Sequence, residues 1–375
     1  MLMKSPCCKA GVFLASRCYS ALIRGQNEKL RMTFRIQLLP SGKEFRAARN
    51  ETLLEAALRA GVAVKYSCNS GACGDCGARL VSGQVRDTQH HDFRFSEAQT
   101  EAGYVLMCCT TPESDLLIEA QEIGSAEEIP LQRIVTKVEK LEVLQDDILI
   151  LHLRTPRSQT LHFLAGQHVS LSIEGVPARN KSLASCPCNA MNLQFHLHRV
   201  RGDAFSEYVF DQLQPGEAVT IEGPQGNFTL DEASKRPIIF VAYETGFAPI
   251  KSIIEHAFAL EAEQPLHLYW MVRHGDRHYL QNLCRSWVDA LDNFRYTALQ
   301  QDANSGGWWE DANDAELDAR DMETLAAAIT ADYPDLSGFD VYLTAPDSAM
   351  DRIARRLHQH GLPPAQLHQD VMRRE

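Results

Sequence analysis

Cys68-x4-Cys73-x2-Cys76, with Cys108 following 32 residues after the third cysteine, is a set of thiols spaced to hold iron. Three come from one tight loop and one from a distant segment, the ligand spacing of plant-type [2Fe–2S] centres. Two irons bridged by two sulfides need four thiolates, and such a centre exchanges single electrons at a potential near about −400 mV. Gly71 and Gly74 within the loop allow positive φ and let backbone N–H groups approach the sulfurs with no Cβ in the way. Structural zinc is the competing chemistry. It takes paired C-x2-4-C knuckles, and a run with one distant cysteine fits it poorly. Cys109 competes with Cys108 for the fourth position. The Leu106-Met107 pair before it favours Cys108, and Cys109 is read as a small buried residue beside the cluster.

No other cluster of side chains reads as a general acid, base or nucleophile. His90-His91 falls in a polar loop, and His196 and His198 alternate along an expected strand, so structural roles are expected for both pairs. Cys7-Cys8 and Cys18 lack zinc-type spacing.

The elements that must position the thiols follow from pattern. Residues 33–47 alternate around a Pro-Ser-Gly turn, a hairpin signal. Thr52-Leu-Leu-Glu55 is a capping box, and the helix it opens stops at Gly61. The cysteine loop comes next, then an expected short hairpin through Leu80–Val85 and an acidic linker over Gln121–Ile129. From Pro130 to Leu230, short apolar runs (DDILILHL, GQHVSLSI, LQFHLHRV, EAVTIEG) alternate with turns, the signature of a small antiparallel barrel. From Lys235 the rhythm changes to strand–turn–helix: PIIFVA, a helix over Ile250–Leu260, LHLYWMV, FRYTAL, then DVYLTAP and a helix over Ser348–His360. Strands separated by helices imply a parallel α/β sheet. Residues 301–323, acidic and containing Trp308-Trp309, are read as a solvated loop.

The expected architecture is α+β and α/β multidomain. Residues 1–31 form a dispensable extension, 32–124 a β-grasp [2Fe–2S] ferredoxin domain, 130–232 an antiparallel β-barrel domain and 235–375 a parallel α/β nucleotide-binding domain. Met32 opens the first strand. The chain carries a formal net charge of −12, and its first 31 residues hold six basic side chains against one acid, so the remainder is more acidic still. That balance disfavours nucleic acid or an anionic membrane as partner. No run approaches the roughly 20 apolar residues of a membrane span. Eleven cysteines, four in a metal pattern and the rest scattered, suggest a reducing, cytoplasmic compartment.

The module order, with YSCNSGACGDC, LMCCTTPESDLLIE, IEGPQGNF and TGFAPIKSIIEHAF, resembles the ferredoxin-fused members of the ferredoxin–NADP reductase-like flavoproteins. It is similar to the CDP-6-deoxy-glucoseen reductase group and to reductase components of multicomponent oxygenases. The likeness spans residues 32–375. It implies FAD in the barrel and NADH or NADPH on the α/β domain. Electrons would leave through the cluster to an electron-accepting protein, an oxygenase component or a pyridoxamine-phosphate-dependent dehydratase. The family's flavin-binding Arg-x-Tyr-Ser run reads here Arg179-Asn180-Lys181-Ser182-Leu183. The resemblance places Arg179 on the flavin pyrophosphate and Ser182 near the redox-active edge of the ring. Lys181 replaces the tyrosine that packs on the ring. Gly202-Asp203-Ala204-Phe205-Ser206 opens a helix, with Ser206 expected as N-cap of a pyrophosphate site.

The nicotinamide side departs from the family. Its Gly-Gly-Thr-Gly-x-x-Pro turn appears as Tyr243-Glu244-Thr245-Gly246-Phe247-Ala248-Pro249, with a ring and a carboxylate in place of two glycines. A small pair is replaced by Met271-Val272, though Arg273 remains. A later Gly-Arg pair aligns with Glu310-Asp311, the Cys-Gly-Pro turn reads Thr344-Ala345-Pro346, and the C-terminal aromatic is absent near Val371-Met372. Thr245, Gly246, Arg273 and Pro346 are the residues left to hold a nicotinamide dinucleotide. The main expectation is an NAD(P)H-dependent electron-transfer oxidoreductase. The alternative is a descendant with a degenerate nicotinamide site, acting as an electron relay or binding protein.

Overall fold

The computed structural model describes residues 33–66, 68, 70–88, 91–123, 126–145, 147–156, 159–189, 191–273, 278–300 and 314–372. The N-terminal extension, His90, Trp308-Trp309 and Glu310-Asp311 lie outside the described residues.

In β1 (Thr33–Leu39) the alternation of TFRIQLL sends Ile36 and Leu38 inward, and the turn at 40–43 returns the chain as β2 (Glu44–Ala48), with Ile36 opposite Phe45. The capping box forms as expected: the Glu55 N–H donates to Thr52 Oγ1 and the Thr52 N–H to Glu55 Oε2. It starts α1 (Leu53–Arg59), whose Leu53, Leu54, Ala56 and Ala57 are buried against the sheet. β3 (Gly77–Ser82), β4 (Val85–Asp87), α2 (Glu97–Glu101), β5 (Tyr104–Leu106), β6 (Thr110–Pro112) and β7 (Leu116–Ala120) complete this unit. The mixed sheet runs β2-β1-β7-β3-β5, with β1 and β7 parallel, and α1 lies across it as in a β-grasp. The expected Leu80–Val85 hairpin does not form: β3 pairs with β5 and β7, while β4 pairs with β6. Gly83 lies between β3 and β4 at φ 106°, where a Cβ would come within 2.4 Å of the Asp115 carbonyl oxygen.

β8 (Gln132–Gln145), β9 (Ile148–Arg154), β10 (His168–Ile173), β11 (Val176–Ser182), β12 (Asn192–His198), α3 (Ala204–Asp211) and β13 (Ala218–Gln225) build the second unit. The antiparallel order β11-β10-β13-β8-β9-β12 curls until its edge strands β11 and β12 meet. The Ala184 N–H donates to the Gln194 carbonyl at 2.8 Å across that seam. Inward residues such as Leu151, Val169, Leu171 and Phe195 fill the barrel.

The third unit is β14 (Ile238–Tyr243), α4 (Phe247–Ala259), β15 (Leu266–Val272), α5 (Gln281–Ala290), β16 (Phe294–Gln300), α6 (Asp314–Asp332), β17 (Asp340–Pro346), α7 (Asp347–Gln359) and β18 (Leu367–Met372). The sheet is wholly parallel in the order β16-β15-β14-β17-β18. Its central strands are buried on both faces, which explains their unbroken apolar runs. Part of the expected acidic loop, from Asp314 on, is helix α6. Met322, Leu325, Ala326 and Ile329 recur there at helical spacing and are buried.

The units are tied together by polar contacts. Tyr66, two residues before Cys68, packs its ring at 35° to that of His162 of the barrel, with centroids 4.5 Å apart. Lys43 of the first unit donates to Glu232 at 2.9 Å, and Glu232 also meets His256 of α4 at 3.1 Å. Burial opposes its ionisation, but His256 and Lys43 hold the Glu232 carboxyl down at about 2.

Candidate functional site

The cysteine loop is tied at its Cys76 end to the Cys108 segment by backbone. The Leu54 N–H, an orphan donor in the first turn of α1, donates to the Met107 carbonyl at 3.0 Å, and the Met107 N–H donates to the Cys76 carbonyl at 3.0 Å. These bonds fix the Cys108 segment against the loop carrying the other thiols. Within the loop, the Ser70, Ala72 and Cys73 N–H groups point at Cys68 Sγ from 3.4, 3.3 and 3.4 Å, and the Asp75 N–H points at Cys73 Sγ from 3.4 Å. Gly71 and Gly74 make this possible: both have positive φ, and a Cβ would strike Cys109 Sγ at 2.6 Å in one case and the Phe93 ring at 2.2 Å in the other.

The thiols fall as two pairs. Cys76 Sγ and Cys108 Sγ are 3.3 Å apart, and both are buried. Cys68 and Cys73 are half-buried and linked by the Cys73 N–H bond to Cys68 Sγ. Burial resists ionisation of Cys68, but the Ser70 N–H and its other donors win and bring the thiol down to about 6, whereas burial pushes Cys73 up to about 11. In the other pair, Cys108 holds Cys76 low, while Cys76 and burial drive Cys108 up. Thiols that bind metal as thiolates would release their protons when it enters. Among the described residues, no three His, Cys, Asp or Glu side chains surround a point suited to a single ion. Two thiol pairs with N–H groups aimed at sulfur fit a binuclear cluster. Cys109 packs beside it, its sulfur 3.5 Å from that of Cys108.

A cavity of about 580 Å³ opens between the barrel and the α/β unit, within the usual range for a small-molecule site. Arg179, Asn180, Lys181 and Ser182 of β11 line it, with Ser206 of α3 and the Thr245-Gly246 turn before α4. Leu183 instead faces the barrel core, fully buried. Gly202 is not on the cavity wall; its left-handed backbone turns the chain into α3. The N-cap of α3 is Asp203, not Ser206. Asp203 has extended backbone, and its carboxylate accepts the Ser206 N–H at 2.7 Å, while the Ser206 hydroxyl accepts the Val200 N–H at 2.8 Å. Asp203 also takes the Arg179 guanidinium, with Nε at 2.9 Å. An arginine and a helix N-terminus converging on one wall fit the diphosphate of FAD, although the chain's own carboxylate engages both. His196, also on the wall, gives its Nδ1 to the Tyr279 hydroxyl at 2.8 Å, and its buried Nε2 has no partner among the described residues. An orphaned polar atom beside a cavity is what a bound ligand satisfies.

β18 brings a residue the sequence did not flag. The Ser182 hydroxyl donates to Asp370 Oδ2 at 3.4 Å, and Asp370 lies on the cavity wall with Val371 and Met372, where the family aromatic was expected. Burial pushes its carboxyl up to about 6 against the pull of Ser182. The folded state therefore favours the protonated form. The stability this confers is complete below the unfolded value of about 4 and is lost as pH rises through about 6. Asp370→Asn should match the wild type in urea unfolding at pH 3 and exceed it at pH 8 by about 3 kcal/mol. An identical difference at both pH values would refute the raised carboxyl.

Of the four residues expected on the nicotinamide side, only Thr245 and Gly246 line the cavity. Gly246 is closely packed: a Cβ would lie 2.5 Å from Thr344 Oγ1 and 2.8 Å from Met372 Sδ. Pro346 ends β17 as the N-cap residue of α7. Arg273 is turned inward, 3% exposed, with Nε 3.5 Å from Asp321 of α6, which also accepts the Tyr243 hydroxyl at 2.9 Å. Cys186 and Cys188, read from the sequence as thiols of a reducing compartment, lie side by side, with the Cys188 N–H donating to Cys186 Sγ at 3.2 Å. Two of these features had a local signal. Asp three residues before Ser206 matches a helix cap, and the apolar spacing of α6 was readable; Asp370, on a polar edge strand, had none.

Three family models cover most of the chain: a 2Fe-2S iron-sulfur cluster binding domain over residues 36–113, an oxidoreductase FAD-binding domain over 135–230 and an oxidoreductase NAD-binding domain over 240–333. The CDP-6-deoxy-L-threo-D-glycero-4-hexulose-3-dehydrase reductase of Yersinia pestis is 31% identical, covering 88% of this chain and 96% of its own. Terephthalate 1,2-dioxygenase reductase component 1 of a Comamonas species is 28% identical, over 91% and 97%. Among solved structures, a cytochrome P450 reductase from Amycolatopsis aligns with a TM-score of 0.56 at 25% identity, over 90% of this chain and 98% of that one.

Proposed function

The chain belongs to the iron–sulfur flavoprotein reductases that join a 2Fe-2S domain to FAD- and NAD-binding oxidoreductase domains, and from that premise we propose that it delivers electrons to a separate protein docking over the Cys68–Cys76 loop. It is an NAD(P)H-dependent electron-transfer oxidoreductase, in which electrons pass from NAD(P)H through FAD to the [2Fe–2S] cluster. The flavin supplies the conversion of a two-electron hydride into single electrons.

The protein's own residues bind and orient. Arg179 would meet the diphosphate of FAD, and the Ser182 hydroxyl, held by Asp370 behind it, would stand at the cavity wall. Cys68, Cys73, Cys76 and Cys108 would hold the cluster. The observation that carries the docking site is exposure: Cys68 and Cys73 are half-exposed and Ser70, Ala72 and Asp75 exposed, whereas Cys76 and Cys108 are buried. That rim is where a partner can come nearest the metal. The acceptor class is an oxygenase component or a dehydratase acting on a sugar nucleotide. Both are partner types in the names of relatives. We assign the protein to the cytoplasm from its cysteine usage, four in a metal pattern and the rest scattered; no described helix is long and apolar enough to cross a membrane.

The test is anaerobic. NADH or NADPH added to the reconstituted protein should bleach the flavin band and then the cluster bands. Failure of both nucleotides to bleach either band would remove the electron source. For the docking site, Ala72→Arg should slow electron delivery to the cognate acceptor about tenfold, by steric and charge disruption at the rim. Flavin bleaching should be untouched, and an unchanged delivery rate would move the acceptor elsewhere.

A further inference from the structure

The parallel sheet changes direction at β14. The chain lays β15 and β16 to one side, then β17 and β18 to the other. In such sheets the ligand crevice opens beyond the carboxyl ends of the strands at that switch point. Here it faces the turn 243–246 at the end of β14 and Thr344–Pro346 at the end of β17. The turn contains Glu244 at φ 47°, a left-handed conformation that favours glycine. Its side chain is not in solvent: the residue is 1% exposed. Glu244 Oε1 accepts the Arg273 N–H, just beyond β15, at 2.8 Å, and its carbonyl accepts the Trp270 indole N–H at 3.0 Å.

Backbone N–H groups at the ends of strands and helices are what cradle the diphosphate of a dinucleotide. One such donor is already held by the protein's own carboxylate. The Arg273 guanidinium is directed away toward Asp321, where the Tyr243 hydroxyl also binds. A carboxylate and a diphosphate are like charges and cannot both occupy this buried ground at low cost. We propose that Glu244 is a displaceable plug in the dinucleotide crevice. It stands in for a phosphate on the Arg273 N–H and weakens the grip on NADH and NADPH alike, so that entry of the dinucleotide requires the carboxylate to leave. The inference rests on the reading that a nicotinamide dinucleotide is the electron source, and it adds what limits access.

Two variants separate charge from shape. Glu244→Gln keeps an acceptor for the Arg273 N–H and removes the charge. Glu244→Gly removes the plug and suits the left-handed backbone. FAD-loaded protein is titrated calorimetrically with NAD⁺, NADP⁺ and ADP-ribose, the last carrying the diphosphate without the nicotinamide. The dissociation constants should fall on the order of tenfold in the Gln variant, the effect of removing one close like charge, and further in the Gly variant. ADP-ribose should share the gain, because the plug acts at the diphosphate. Unchanged constants in both variants, or a gain for NAD⁺ that ADP-ribose lacks, overturn the plug.

Anaerobic flavin bleaching by NADH or NADPH keeps the two levels apart. Bleaching in the wild type with unchanged binding in both variants overturns the plug and leaves the electron source standing. Bleaching that appears only in Glu244→Gly supports the plug. No bleaching in any of the three proteins, with the flavin still reducible photochemically, overturns both.

Discussion

Cys73→Ser should leave a protein that still accepts hydride on its flavin but delivers electrons to an acceptor protein at least about a hundredfold more slowly, because the single-electron carrier is gone. Iron and acid-labile sulfide should fall away with the visible bands of the cluster. The reason is chemical before it is steric. A serine hydroxyl ionises far less readily than a thiol, and the soft thiolate is what iron–sulfur centres select. Cys73 belongs to the outer pair with Cys68, and its own N–H is one of the groups aimed at Cys68 Sγ, at 3.4 Å. Serine keeps that N–H, so the loop is retained while the ligand is lost. The fold should survive, since the core of this unit is built from Ile36, Leu38, Leu53 and Ile118, and Cys73 is half-exposed. Cys109→Ser is the internal control. Cys109 lies beside the cluster site with its sulfur 3.5 Å from Cys108 Sγ, so its loss should leave iron content intact while Cys108→Ser abolishes it. Full iron and sulfide in purified Cys73→Ser would refute the assignment. Intact iron in Cys108→Ser with loss in Cys109→Ser would exchange the fourth ligand.

The thiol loop was legible because its information is local. Three ligands and two glycines lie within nine residues, and glycines at positive φ are a requirement that sequence states openly. The barrel and the parallel sheet were legible through period: alternation in GQHVSLSI, and unbroken apolar runs in PIIFVA and LHLYWMV. What sequence hid was set by tertiary partners. Asp321 looks like a solvated acid but is fully buried against Arg273 and Tyr243, a role that the readable apolar spacing of α6 does not announce. β18 is a half-buried edge strand with as many polar as apolar residues and no clean alternation, and only pairing with β17 makes it a strand. Asp370 therefore reached the cavity unannounced. The nicotinamide turn was the reverse case. The substitutions at Tyr243 and Glu244 were visible, but only the structure shows the carboxylate engaged by Arg273 N–H.

Arg179→Ala should weaken FAD about 30-fold, roughly 2 kcal/mol for removing a charge-assisted hydrogen bond inside a cavity, whereas Asp203→Ser should strengthen it several-fold. The contrast follows from how Asp203 is used. One carboxylate oxygen accepts the Ser206 N–H at the start of α3, at 2.7 Å, and the other takes the Arg179 Nε, at 2.9 Å. The two positive features on this wall, a guanidinium and a helix N-terminus, are both satisfied by one internal anion. A diphosphate must share or displace it. Serine preserves the helix cap, since Ser and Asp serve about equally well there, and removes the competing charge. Arg179→Lys should resemble the Ala variant more than the wild type, because a point charge cannot reproduce the planar fork. Equilibrium dialysis of free FAD against each variant measures all three. Equal affinities for the wild type and Arg179→Ala would take Arg179 out of the flavin site. Weaker binding in Asp203→Ser would mean that the carboxylate holds the guanidinium in position, and the sign of that single change decides between obstruction and support.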